Sequence, residues 1–179
     1  MMRGMWSSLL AALGLLRRRA NLLCVGLDNS GKSTAHEEVV PTVGFSVEMF
    51  ERGKVSFTIF DMSGQGKYRD LWRHYFSEAD GIIFVIDSAD RDRIVVAREE
   101  LALMLENKVL AKRPIPVLFL ANKMDLENGL SPVECSEALG LDRIRDRAWN
   151  ISACNALTGE GLEAGLEWII DMLRQAPPQ

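Results

Sequence analysis

The stretch Gly26-Leu27-Asp28-Asn29-Ser30-Gly31-Lys32-Ser33 constrains this chain more than any other. It fits G-x-x-x-x-G-K-[ST] and directly follows Ala20 to Val25, an apolar run that reads as a buried strand. Successive backbone N–H groups in such a loop can wrap a phosphate, because the glycines allow close approach and the next helix offers its N-terminus. Lys32 is then expected to reach the β and γ phosphates of a nucleotide, and the Ser33 hydroxyl to bind Mg²⁺, with Thr34 beside it. A glycine turn without a ligand is the bland alternative, and strand context weighs against it.

The rest of the chain alternates in the same style. Val43 to Glu51 and Lys54 to Phe60 read as two strands joined at Arg52-Gly53, a hairpin signal. Phe45, Val47 and Met49 alternate with Ser46 and Glu48 on the first arm; Val55, Phe57 and Ile59 alternate with Ser56 and Thr58 on the second. Gly81 to Ile86 and Ile115 to Leu120 are continuous apolar runs, as expected of parallel strands covered on both faces. Arg91 to Glu106, Pro132 to Leu139 and Glu160 to Leu173 read as helices. The implied fold class is α/β, a doubly wound and mostly parallel sheet with helices on both faces. At 179 residues the chain is about one domain, large enough to bury a core without disulfides or metal. Cys24, Cys135 and Cys154 are too few and too scattered for a disulfide framework, and a reducing compartment suits them.

Charge divides the chain in two. The first twenty residues hold Arg3, Arg17, Arg18 and Arg19 and no acid, so the remainder carries seventeen basic against 25 acidic residues, a net −8. The overall charge of −4 argues against a nucleic-acid partner. Within the leader, Trp6, Leu9, Leu10, Leu13 and Leu16 share one helical face. The apolar part, Met5 to Leu16, is too short to span a bilayer. An interfacial helix, with its arginines on anionic headgroups, is the favoured reading. A helix that packs only on its own domain is the other. Residue two is Met2, so no N-myristoylation is expected. The chain thus divides into a membrane-facing helix at 1–19, a nucleotide-binding domain at 20–175 and a loose tail at 176–179.

Two further motifs complete a nucleotide site. Asp61-Met62-Ser63-Gly64-Gln65 follows the strand ending at Phe60. A carboxylate there suits Mg²⁺, usually through water; the Gly64 N–H can meet a γ-phosphate and Gln65 can orient an attacking water. Asn122-Lys123-Met124-Asp125 follows the run ending at Leu120. The Asp125 carboxylate can accept both N1–H and the N2 amino proton of guanine, a donor pair that adenine lacks. Asn122 is expected to tie this loop to the phosphate loop, and Lys123 to lie along the base.

The phosphate loop, DxxGQ, NKxD and Ser152-Ala153-Cys154, in this order, resemble small GTPases. Pro41 to Phe45, Leu71 to Phe76 and the amphipathic leader resemble the Arf branch specifically. Within that branch, Asp61 to Gly66 and Phe84 to Arg91 resemble the Arf-like members that recruit the BBSome coat to ciliary membranes. The resemblance implies a P-loop GTPase fold and a slow hydrolysis of bound GTP to GDP and phosphate. It implies a backbone contact from Ala153 to the guanine O6, and Thr42 joining Ser33 and Asp61 around Mg²⁺. It also implies a monomeric, cytoplasmic, peripheral-membrane switch, served by an exchange factor and a GTPase-activating protein. In the family the Val43–Phe60 hairpin slides in register and displaces the leader toward the membrane. An aromatic cluster matching Phe45, Phe60 and Tyr75 takes effectors, although those rings would serve as core equally well. His36 and His74 have no paired ligands and are assigned no chemistry.

One departure stands out. Eight residues separate Ser33 from Thr42, where the family has about twice as many, so the helix after the phosphate loop is expected to be shortened. That leaves a second reading, a nucleotide-binding module with impaired switching, low stability and weak affinity. A P-loop kinase is a third; it predicts an arginine-rich lid and lacks NKxD, so Asn122 to Asp125 argue against it.

Overall fold

A computed structural model describes residues 18–32, 44–52 and 55–175. Six strands form one sheet: β1 (Arg18–Gly26), β2 (Phe45–Arg52), β3 (Val55–Met62), β4 (Gly81–Asp87), β5 (Val117–Asn122) and β6 (Trp149–Ala153). Their order is β2-β3-β1-β4-β5-β6. β2 runs antiparallel to β3, and every other pairing is parallel. Numbered among the described residues, the helices are α1 (Trp72–Tyr75), α2 (Ile94–Leu105), α3 (Lys108–Lys112), α4 (Pro132–Leu139) and α5 (Leu162–Gln175). Single 3₁₀ segments lie at Gly66–Leu71, Arg91–Arg93 and Leu141–Arg143.

The continuous apolar runs become the centre of the sheet. β4 is buried from Gly81 to Ile86 and β5 over its whole length, as two-sided coverage requires. On one face Leu23, Val25, Phe84, Phe119 and Met62 pack with Trp72, Ala97, Leu101 and Leu139 from α1, α2 and α4. On the other Ala20, Leu22, Phe57, Ile83 and Leu118 pack with Ile169, Ile170 and Leu173 of α5. Gly165 lets α5 approach closely; a Cβ there would lie 3.2 Å from Leu120 and 3.3 Å from Leu118.

The hairpin forms where Arg52-Gly53 predicts it, with Arg52 opposite Val55. α4 begins with a capping box: the Ser131 hydroxyl accepts from Glu134 N at 3.3 Å, and Ser131 N donates to the Glu134 carboxylate at 2.8 Å. It ends at Gly140 in the left-handed region, φ 68°. β6, α1, α3 and the 3₁₀ segments at 66–71 and 141–143 are not expected from sequence, and the first turn of the helix expected from Arg91 is 3₁₀. β1 takes in Arg18 and Arg19, which the sequence reading placed in the leader. Residues 1–17, 33–43, 53–54 and 176–179 lie outside the described residues, and with them most of the leader, the shortened segment, Ser33, Thr34, Thr42 and the tail. Among the described residues no helix is long and apolar enough to cross a membrane.

Candidate functional site

The C-terminal ends of β1, β3, β4, β5 and β6 bring five loops together. The loop after β1 turns on Gly26, whose φ is 147°. A Cβ there would lie 2.3 Å from the Val85 carbonyl, so only glycine fits. Asn29 (φ 61°) and Gly31 (φ 94°) give the loop its further left-handed turns. Leu27 and Ser30 are buried, while Asp28 and Asn29 face outward. Lys32 folds back over the loop. Its Nζ donates to the Gly26 carbonyl at 3.0 Å, the Leu27 carbonyl at 2.7 Å and Ser30 Oγ at 3.3 Å. Burial holds the Lys32 ammonium below its usual range, opposed by the negative charge of nearby Asp61.

Asn122 joins three of the loops. Its side chain is buried at the end of β5, where Nδ2 donates to the Ser30 carbonyl at 2.8 Å. Its Oδ1 accepts from Ala156 N at 2.9 Å and from the Cys154 thiol at 3.7 Å. One amide therefore fixes the phosphate loop against both the Asn122–Asp125 loop and the Ser152–Cys154 loop. Lys123 takes φ 66° and pairs with Asp87 at 2.6 Å, which anchors it across the end of β4. Asp125 and Ala153 are exposed on the rim. The Ala153 carbonyl is hemmed in by Gly161, φ 76°, where a Cβ would lie 2.0 Å from it.

Gly64 lies against the phosphate loop itself. A Cβ on it would come within 2.3 Å of Asp28 N and of the Leu27 carbonyl carbon. Gln65 follows with extended backbone, φ −63° and ψ 135°. Beyond it the 3₁₀ segment leads into α1, where buried Trp72 donates from Nε1 to the Ser63 carbonyl at 3.1 Å. Asp61 is 7% exposed at the end of β3, beside Cys24 of β1. Its carboxylate is a hard oxygen donor, a type that suits Mg²⁺. Among the described residues no group of three or more His, Cys, Asp or Glu could hold a metal by itself.

An ionic cluster that the sequence reading missed surrounds the outer edge of this site. Asp28 Oδ1 lies 3.2 Å from Arg93 Nη1 and 3.5 Å from Arg69 Nη2. Arg93 also pairs with Asp90 at 2.6 Å and holds that carboxyl below its ordinary range, chiefly by hydrogen bonding. Arg69 also pairs with Glu100 of α2 at 2.8 Å. Apart from Asp90 and Arg93, three residues apart, the partners are distant in sequence, so no local pattern marks the cluster.

The aromatic residues do assemble. The Phe45 and Phe60 rings each lie 5.2 Å from Tyr75. Beside them Phe45, Val47 and Met49 alternate along the same face of β2 and are 44%, 49% and 80% exposed.

With this geometry in view, comparison with known proteins is decisive. The sequence model of the ADP-ribosylation factor family matches residues 6–173. The chain belongs to the Arf family of small GTPases. It is 49% identical to ADP-ribosylation factor-like protein 6 of Danio rerio, over 96% of this chain and 97% of that protein. It is 41% identical to the protein of the same name in Caenorhabditis elegans, over 92% of each. Among solved structures it is similar to the Arl6 BBS3 small GTPase from Trypanosoma brucei with bound nucleotide analogue GppNp. That likeness has a TM-score of 0.83 and 37% identity, and covers 88% of this chain and 99% of the other. The expected P-loop GTPase fold with a mostly parallel sheet is therefore the fold of this Arf-family chain, and guanine nucleotide is its ligand class.

Proposed function

We propose that this Arf-family GTPase is a membrane-recruited switch. In its GTP state it docks on a membrane surface through the leader that precedes β1 and gathers an effector or coat of the BBSome kind, in ciliary membrane-protein trafficking. The supporting observation is the short path from nucleotide to surface. Gly64 packs on the phosphate loop, Ser63 is held by Trp72, and three residues later Tyr75 carries the aromatic cluster. A change felt at Gly64 is thereby passed to the exposed row of Phe45, Val47 and Met49. Apolar side chains exposed side by side on a sheet face are suited to a protein partner.

In this reading Gly26 to Lys32 cradle the phosphates, and Asn122, Lys123, Asp125 and Ala153 select guanine. Mg²⁺, held by Ser33, Thr42 and, through water, Asp61, would neutralise phosphate charge. Gln65 orients the attacking water. Hydrolysis is slow until an activating protein intervenes: Arg69 and Arg93 are near the phosphate loop but engaged with Asp28, Glu100 and Asp90. Supplying an arginine in trans is typically worth about 10³–10⁵ in rate. An exchange factor would reload the switch with GTP.

The test compares GTP-analogue-loaded and GDP-loaded protein for flotation with anionic liposomes and for retention of a purified coat complex. Both should favour the GTP-analogue state. Nucleotide affinity measured with and without Mg²⁺ should fall when the ion is removed. Equal flotation and equal coat retention in both states would overturn the switch reading.

A further inference from the structure

The ionic cluster around Asp28 does more than decorate the phosphate loop. Arg69 uses all three nitrogens of its guanidinium, and each reaches a different element. Nε donates to the Gly64 carbonyl at 2.8 Å, Nη1 to Glu100 Oε1 at 2.8 Å, and Nη2 faces Asp28 Oδ1 at 3.5 Å. Its side chain is only 16% exposed. Glu100 is on α2, which packs on the sheet through Ala97, Leu101 and Met104, so it is a fixed post. Asp28 is held from its other side by Arg93, which is itself fixed to Asp90. A chain of alternating charge, Glu100, Arg69, Asp28, Arg93, Asp90, thus runs from α2 over the phosphate loop and back to the turn before α2.

The Gly64 carbonyl belongs to the peptide plane whose other end is the Gln65 N–H. Glycine has no Cβ to restrict that plane, so its orientation depends on external contacts. The Arg69 hydrogen bond is one, and the weak contact from Gln65 N to Ser63 Oγ at 3.4 Å is another. Turning this plane swings the Gln65 Cα and with it the side-chain amide.

We propose that Arg69 is a positioning residue for Gln65, bracing the Gly64–Gln65 peptide between α2 and the phosphate loop. The proposal rests on the GTPase reading above and concerns the hydrolytic step. Arg69 does not touch the nucleotide in this role; it fixes the residue that orients water. A lysine cannot replace it, because a single ammonium lacks the planar fork that spans three acceptors.

Single-turnover GTP hydrolysis, GDP release and amide hydrogen exchange should be measured on the full chain and on variants in two backgrounds. Arg69→Ala should slow hydrolysis about 10- to 100-fold, the scale for a catalytic group misplaced by around an ångström. GDP release should change far less. Arg69→Lys should resemble Arg69→Ala. In a Gln65→Leu background, Arg69→Ala should cause no further slowing, because the group it positions is gone. Exchange at the Gln65 amide, and at the Tyr68 amide that donates to the Gln65 carbonyl at 2.8 Å, should quicken in Arg69→Ala. Should Arg69→Ala fail to fold, Glu100→Gln loosens the same brace and should slow hydrolysis less, again only when Gln65 is present. Unchanged hydrolysis in the Arg69 variants, or equal slowing with and without Gln65, would overturn the proposal. Absence of hydrolysis in the unmodified chain would instead sink the GTPase reading, and amide exchange at Gln65 would still decide whether Arg69 braces the peptide.

Discussion

Replacing Asn122 tests the central tie of the nucleotide site. Asn122→Ala removes the donor to the Ser30 carbonyl and the acceptor for Ala156 N, bonds of 2.8 and 2.9 Å. Asn122 is 2% exposed and Ser30 0%, so water cannot easily replace what is lost. Each orphaned buried group costs about 1–3 kcal/mol, and the two losses together about 3 kcal/mol once partial relaxation is allowed. For a chain of this size, each kcal/mol lowers the melting temperature by about 2–4 °C, giving about 6–12 °C. Nucleotide must then order loops that were already in place. Each 1.4 kcal/mol diverted to that end weakens binding about tenfold, so GDP affinity should fall on the order of 10- to 100-fold. Asn122→Asp sharpens the test. One oxygen still accepts from Ala156, but the other opposes the Ser30 carbonyl. Burial raises the folded pKa of such a carboxyl above its unfolded value near 3.9. Its stabilising contribution is then complete below the unfolded pKa and is lost as pH rises through the folded one. The aspartate variant should therefore close on the parent as pH falls, while the alanine deficit stays constant. Thermal melts across pH and GDP dissociation rates give both readouts. An Asn122→Ala protein that melts within about 1 kcal/mol of the parent and releases GDP at the parent rate would refute the reasoning.

Asp125→Asn should reverse part of the donor and acceptor pattern at the base, so competition binding should show guanine rejected and xanthine favoured. Burial pushes the Cys135 and Cys154 thiols up to about 11 and Cys24 further up, with Asp61 adding to the effect at Cys24. Thiol reagents at pH 8 should therefore find all three unreactive until the chain unfolds. Because the folded values lie above the unfolded ones, stability should hold below about pH 9 and decline between about 9 and 11. Deleting residues 1–17 should abolish flotation with anionic liposomes, and Trp6→Ala with Leu10→Ala should weaken it more than loss of one arginine. Inserting about ten helix-forming residues after Thr34, close to three helical turns, should raise both the melting temperature and GTP affinity.

The parts of this molecule legible in its sequence are those in which chemistry and position coincide locally. The Gly26–Ser33 loop, the Asn122–Asp125 loop and the buried runs of β4 and β5 declare themselves within eight residues or fewer. β6 does not. Its residues Trp149 to Ala153 are half-buried to exposed and its pattern is too short and mixed to separate from a loop. The small-GTPase motif at Ser152 to Cys154 marks the site without marking the strand. The 3₁₀ segment at 66–71 contains no buried residue, so apolar periodicity had nothing to register. The Arg69, Asp28 and Glu100 cluster was silent for a different reason. Its members sit in unlike contexts and meet only because β1, β3 and β4 are neighbours in the sheet.

The pairing of β3 with β1 sets a rule of parity for the outer half of the sheet. Val55, Phe57 and Ile59 face α5, while Phe60 and Met62 face the opposite layer with Trp72. A shift of the β2–β3 hairpin along β1 by one residue would turn Ser56 and Thr58 into the buried layer and Phe57 out of it. A shift by two restores every side chain to its proper face. Any register change along this seam would thus be quantised, with a smallest step of about 6.6 Å that keeps every side chain on its own face. Asp61 and Gly64 ride on the same strand and its continuation, so a step of the hairpin would carry the phosphate-facing end with it. A register change here would have no half-measures: any second setting would differ from the one observed by a whole repeat of the pleat, and a small disturbance at one end would not appear as a small displacement at the other.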